Sequence, residues 1–273
     1  MCAFEKIAEL FTTVWPVIFA FDLGRYAVAA LGVFVLVYVA LRPWLRGRKT
    51  QARLASRADI RREMLFSALT AVIFSLNGLG IYAGVEAGIM KVYFDMADYG
   101  WGCFAISLVL LILVHDAYFY WTHRMMHQPR LFRLFHLTHH RSRTPTPFAA
   151  YAFAPAEAVV QAIFLPLFLL VVPTHDVAIF IFMTHMIIRN AFGHAGYELF
   201  PRGAPSSRWL GWLTTTTHHD MHHENLRGNF GLYFTWWDRL VGTEHPDYRA
   251  RFDQVTAPRP TEPANTRPAG NQN

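Results

Sequence analysis

Charge and cysteine are what this 273-residue chain has least of. Only 16% of its residues are Asp, Glu, Lys or Arg, where an ordinary soluble domain carries roughly a quarter. Two cysteines, Cys2 and Cys103, are too few for a disulfide scaffold. No base-reading module accompanies the net charge of +6, so nucleic acid is not expected as a partner. No internal repeat is visible. The first residues carry Glu5, Lys6 and Glu9 rather than a basic stretch ahead of an apolar one, so no secretory signal is expected. What the chain has instead is 53% hydrophobic residues, 15% aromatic residues and fourteen histidines. Disorder is excluded for most of it, and a membrane protein is the expected class.

A bilayer-spanning helix needs about 20 mainly apolar residues. The runs 26–41, 64–84, 101–114, 156–172 and 177–192 approach or meet that length. Pro155 and Glu157 suit the first turn of the fourth run. The segment 11–21 contains Pro16 and is expected either to lie in the interface or to form half of a kinked first span. Charge orients the whole. Arg42, Arg46, Arg48, Lys49, Arg53, Arg57, Arg61 and Arg62 crowd one loop against Asp59 alone, whereas the loop 85–100 has only Lys91. The positive-inside rule places the first loop in the cytoplasm, and Arg124, Arg130, Arg133, Arg141 and Arg143 agree with that orientation. The basic residues are thus chiefly a topology signal. Beyond residue 256 the chain turns polar and proline-rich, and 257–273 is expected to be a disordered tail. The expected fold is all-α: a multi-span transmembrane helical bundle with a cytoplasmic histidine-rich cap.

The histidines are concentrated. Ten of the fourteen lie in two windows, 115–140 and 218–223. His123 and His127 stand at i and i+4, neighbours on one helical face. His136-Leu-Thr-His139-His140 and His219-Asp-Met-His222-His223 repeat the form HxxHH, whose imidazoles converge on one face if helical. The last two runs cross outward and back, which returns His194 and the final box to the side of the first two. Eight box imidazoles exceed what one first-row ion accepts, so two metals are implied. Imidazole suits iron, zinc, copper and nickel alike.

Other residues are read from position. His194 is a ninth candidate ligand, and Asn190, four residues earlier, is a direct or water-bridged partner in the same site. His115 and His218 either back the ligands or merely sit near them. Asp116 and Asp220 either accept the distal N–H of an imidazole or are solvated carboxylates. His185 is expected to be a hydrogen-bonded core histidine, and His175 and His245 loop residues. Glu157 is expected to cap its helix rather than line a substrate path.

The segments WTHRMMH, HLTHH and HHDMHH, in this order, resemble the three histidine boxes of the fatty acid hydroxylase/sterol desaturase superfamily of membrane non-haem di-iron oxygenases. RTPTPFAAYAFAPAE, GHAGYEL and NFGLYFTWWDRLVGT extend the resemblance, which covers 101–243. It implies a di-iron catalytic domain over 101–256 behind an N-terminal transmembrane region, 1–100. It implies two iron ions held by His123, His127, His136, His139, His140, His194, His219, His222 and His223, with O2 as co-substrate. The implied reaction takes hydrogen from an unactivated C–H bond of a lipid, such as a sterol or fatty acyl chain, and leaves an alcohol or an alkene. The fused cytochrome domain of some relatives is not found, so a separate electron donor of ferredoxin or cytochrome b5 type, with its reductase, is expected. The expected location is a bacterial inner membrane or its equivalent, with the histidine boxes on the cytoplasmic face. The alternatives are a membrane zinc hydrolase, for which no HExxH exists, and a metal transporter, which places its ligands at mid-bilayer.

Overall fold

The computed structural model describes residues 3–258 of the chain, so the tail expected to be disordered lies outside the described residues from 259 onward. Helix α1 (Ala3–Glu9), α2 (Trp15–Val35) and the single turn α3 (Arg42–Leu45) open the chain. A wide π-helical turn at Leu10–Val14 joins α1 to α2 and a second at Leu36–Ala40 continues α2, giving one rod over Ile7–Ala40. Pro16 sits in the first turn of α2, where the widened turn ahead of it tolerates the missing N–H. The segments 11–21 and 26–41 are therefore parts of one helix, with no separate interfacial piece.

Helix α4 (Arg57–Glu86) starts at a capping box: the Ser56 hydroxyl accepts from the Asp59 amide, and the Asp59 carboxylate accepts from the Ser56 amide, both at 3.1 Å. Strand β1 (Val92–Tyr93) leads to α5 (Gly100–Met126), followed by the short helices α6 (Pro129–Phe135) and α7 (Leu137–His140). Helix α8 (Pro155–Val171), strand β2 (Thr174–His175) and α9 (Asp176–Gly193) form a hairpin, and α10 (Thr216–Asn225), α11 (Trp236–Val241) and α12 (Tyr248–Val255) complete the described fold.

Among the described residues, four helical runs are long and apolar enough to cross a membrane: Ile7–Ala40, Arg57–Glu86, Gly100–Met126 and Asp176–Gly193. The fourth apolar run of the sequence forms only the 17-residue α8, about 26 Å at 1.5 Å per residue, somewhat short of a hydrocarbon core. Its direction is nevertheless fixed. Strand β2, at the turn between α8 and α9, pairs in parallel with β1, in the loop between α4 and α5. The hairpin thus reaches the end of the bundle from which α5 departs, and α9 returns to the end where α5 finishes. His127 and His194, which follow these two helices, emerge on the same side.

The core explains why these helices associate. Tyr26, Ala30 and Val33 of α2 pack with Phe74 of α4, Phe119 of α5, Ala158 of α8 and Ile187 of α9, around Tyr151. This core runs across residue 100, so the N-terminal region is built into the same bundle as the histidine-bearing helices. Polar side chains of the long helices turn inward: Ser67, Thr70, Ser75 and Ser107 are buried, and Asp22 pairs with Arg25 at 2.6 Å. Large apolar residues such as Val17, Val28, Ile106 and Val171 face outward, each more than 60% exposed. That inversion suits a lipid solvent.

Candidate metal centre

Box geometry follows from helical spacing. His123 lies in the last turn of α5 and His127 caps it, while His136 stands at the junction of α6 and α7 and His139 and His140 end α7. In α10, started by the Thr215 hydroxyl accepting from the His218 amide, come His219, His222 and His223. His194 caps the end of α9. Ring nitrogens of His123, His127, His136, His140 and His222 gather within 4.8 Å of one another. Those of His139, His194, His219 and His223 form a second gathering of the same tightness. All nine residues proposed as ligands thus fall into one group or the other.

The boxes divide differently from the single face expected. His136 and His140, four apart, join the first group, and His139 joins the second. His219 and His223 join the second, and His222 the first. Adjacent residues on a helix point about 100° apart, so each HxxHH box serves both groups, and the two groups share α7 and α10.

The donor set fits cations. His123 Nδ1 donates to the Phe230 carbonyl at 2.9 Å, His222 Nδ1 to Gly228 at 2.7 Å, and His194 Nδ1 to Asn190 at 2.8 Å. A carbonyl only accepts, so these rings carry their proton on Nδ1 and turn a bare Nε2 lone pair inward. The Nε2 atoms of His139, His219 and His223 all lie within 3.3 Å of His194 Nε2. One lone pair cannot satisfy three neighbours, and His123 Nε2 and His136 Nε2 are buried with no partner at all. Burial, reinforced by neighbouring rings, pushes His127 down to about 2 and holds His136, His139, His140, His219, His222 and His223 well below the ordinary imidazole range. Burial alone brings His194 down to about 4. Neutral rings of this kind are the metal-binding form.

The remaining candidates lie outside both groups. Asn190 contributes its backbone carbonyl to His194, and its side-chain Nδ2 donates to the Ala150 carbonyl at 2.6 Å. Asp116 is buried but accepts from the Tyr233 amide and from Trp236 Nε1, each at 2.9 Å, and touches no imidazole. It ties α5 to the segment before α11. His115 Nδ1 meets the Tyr233 hydroxyl at 3.0 Å. Asp220 accepts from Gln51 Nε2, and burial lifts its carboxyl to about 7. His218 lies 3.5 Å from Asp238 Oδ2. His185 Nδ1 has no partner, contrary to the hydrogen-bonded core histidine expected. His175 caps α9, its Nδ1 accepting from the Val177 amide, and His245 Nδ1 accepts from Asp247 in a loop.

Two carboxylates matter more than the sequence suggested. Glu157 takes a bond from the amide of Ala154, the N-cap residue of α8, as a capping acid does, and in addition it is buried with Oε1 2.8 Å from His136 Nδ1. Asp238 Oδ1 accepts from the Phe230 amide at 2.9 Å and from the Thr243 hydroxyl at 2.7 Å, and its Oδ2 accepts from the Gly231 amide at 2.8 Å. It therefore fixes the loop whose carbonyls orient His123 and His222. Its only sequence signal is an acid in an aromatic stretch, FTWWDR. Glu157→Ala is expected to weaken metal retention about 10–100-fold, while Glu157→Gln, which keeps an oxygen beside His136, recovers most of it. Metal content after titrated chelation checks both.

Comparison with known proteins identifies the relatives of this chain. The fatty acid hydroxylase family model matches residues 108–243, which hold all nine histidines. A Delta(7)-sterol 5(6)-desaturase of Gibberella zeae is 30% identical over 186 residues, 68% of this chain and 56% of that protein. Lathosterol oxidase of Rattus norvegicus is 28% identical over 194 residues, 69% of this chain and 62% of the relative. Methylsterol monooxygenase 1 of Rattus norvegicus is 26% identical over 132 residues, 48% of this chain and 44% of the relative. The chain thus spans less than two thirds of the length of these relatives. No solved structure matches significantly. On the family match, the similarity to sterol desaturases and the three boxes it contains, the chain belongs to the fatty acid hydroxylase/sterol desaturase superfamily.

Proposed function

We propose that this protein is an integral-membrane, O2-dependent di-iron oxygenase that hydroxylates or desaturates a lipid. One observation carries the reading: two adjoining groups of neutral imidazoles, buried except for half-buried His127, gathered where the membrane-length helices α5 and α9 end beside the short helices α7 and α10. His123, His127, His136, His140 and His222 would hold one iron, and His139, His194, His219 and His223 the other. When bound, the pair supplies activation of O2 and removal of hydrogen from an unactivated C–H bond. The chain's own part is to gather nine ring nitrogens, those of His123, His194 and His222 with their protons turned away onto backbone carbonyls, to shield them from water and to admit a lipid.

The relatives named as acting on sterols support a lipid substrate, and the outward-facing apolar surface supports entry from the bilayer. The arginines of 42–62 and 124–143 lie at the histidine end, which supports a cytoplasmic placement of the boxes. There a separate ferredoxin or cytochrome b5-type donor would deliver electrons. The catalytic unit corresponds to 101–256.

The test is metal analysis with turnover. Purified protein is expected to carry close to two irons per chain without a haem Soret band, and to oxidise lipid only with O2 and a reductant. A single tightly held zinc would support a hydrolase instead. Readily exchanged metal with transport into vesicles would support a carrier.

A further inference from the structure

Beside the second histidine group lies an apolar cavity of about 570 Å³, within the usual size of a small-molecule site. Ile188, Phe192, Leu199, Leu210 and Leu232 form much of its wall, and His219 closes one end. One stripe of α9 lines it at four-residue intervals: His185, Arg189 and Gly193. Gly193 stands closest to the histidines, since a Cβ there would meet the His219 ring at 3.5 Å.

Arg189 is the unusual member. It spends one nitrogen, Nη2, on Thr214 O and Oγ1 at 3.0 Å and on Tyr233 O at 3.5 Å. Among the described residues no carboxylate lies within ion-pairing distance of it, whereas Arg25, the other arginine deep in a long helix, is paired with Asp22. Its Nε and Nη1 have no protein acceptor, yet neither is sealed from solvent. His185, one turn further from the boxes, also keeps Nδ1 unpartnered. A guanidinium with half its fork unspent, in an apolar cavity, wants an oxygen acceptor from outside the protein.

We propose that Arg189 is the head-group anchor of the substrate: the cavity takes a lipid whose polar head presents an oxygen acceptor, a carboxylate or a hydroxyl, to the free edge of the guanidinium. That the lipid so held is the substrate rests on the oxygenase reading.

Equilibrium binding of radiolabelled lipids to purified full-length protein in nanodiscs tests the anchor without turnover. Palmitate is compared with hexadecylamine, and cholesterol with 5α-cholestane. At least a tenfold preference is expected for palmitate if the head is acidic, or for cholesterol if it is a hydroxyl. Arg189→Met should abolish that preference and Arg189→Lys should retain part of it, with metal content unchanged in both. If neither pair is discriminated by the wild-type protein, or if Arg189→Met leaves the preference intact, the anchor is overturned. Since binding is read directly, a protein that holds no iron would overturn the oxygenase reading and leave this measurement standing.

Discussion

Alanine at His222 and alanine at His223 are each expected to abolish turnover, but by emptying different halves of the centre. His222 is grouped with His123, His127, His136 and His140, and His223 with His139, His194 and His219. Loss of one imidazole leaves four donors in the first group and three in the second. Iron per chain should fall from near two towards one in both variants, and an iron spectroscopy that resolves the two sites should lose a different signal in each. If both variants lost the same signal, the division of the boxes between two groups would be wrong. The bond from His222 Nδ1 to the Gly228 carbonyl also predicts that glutamine is a poor substitute, since its flexible amide lacks the ring that spans carbonyl and metal.

The second large effect is expected at Asp238, which touches neither group. Asp238→Ala leaves the Phe230 and Gly231 amides and the Thr243 hydroxyl without their acceptor, in a buried place. Each unpaired buried donor costs about 1–3 kcal/mol, and since the Thr243 hydroxyl can still bond Tyr120, the two orphaned amides make a loss of about 2–6 kcal/mol the expectation, seen as a lower thermal unfolding midpoint in detergent. Metal affinity should fall about 10–100-fold as well, because the loop carrying the Gly228 and Phe230 carbonyls loses its anchor. Asp238→Asn is expected to be intermediate. Its oxygen can still take the Phe230 amide, but its NH2 then faces the Gly231 N–H, donor against donor. An unchanged unfolding midpoint and full iron retention in Asp238→Ala would refute the role.

Much of this site could be read from the chain alone, because imidazoles repeated at three- and four-residue spacing in three separate segments are what a shared metal centre requires and a solvated surface does not. Residue order also gave the return of His194 to the side of His127, since two apolar runs intervene. Spacing could not reveal how each box is shared. Whether His139 and His140 face one ion or two depends on where α10 packs, and that is tertiary information. The carboxylates were misjudged for a related reason. Asp116 and Asp220 stand beside histidines in sequence and bond elsewhere, whereas Glu157 and Asp238 are distant in sequence and closest in effect. Nor could composition show that 11–21 continues into 26–41, because the π turns that accommodate Pro16 have no side-chain signature.

The small ladder between β1 and β2 has a mechanical consequence. With the Lys91 amide donating to Leu169, the Thr174 amide donating to the Lys91 carbonyl, and Val92 in register with Thr174, the loop after α4 and the hairpin turn are fastened through their backbones. The connections α4–α5 and α8–α9 are thereby held in one register at the end of the bundle away from the histidines, and sliding of either helix pair along the other would break that ladder.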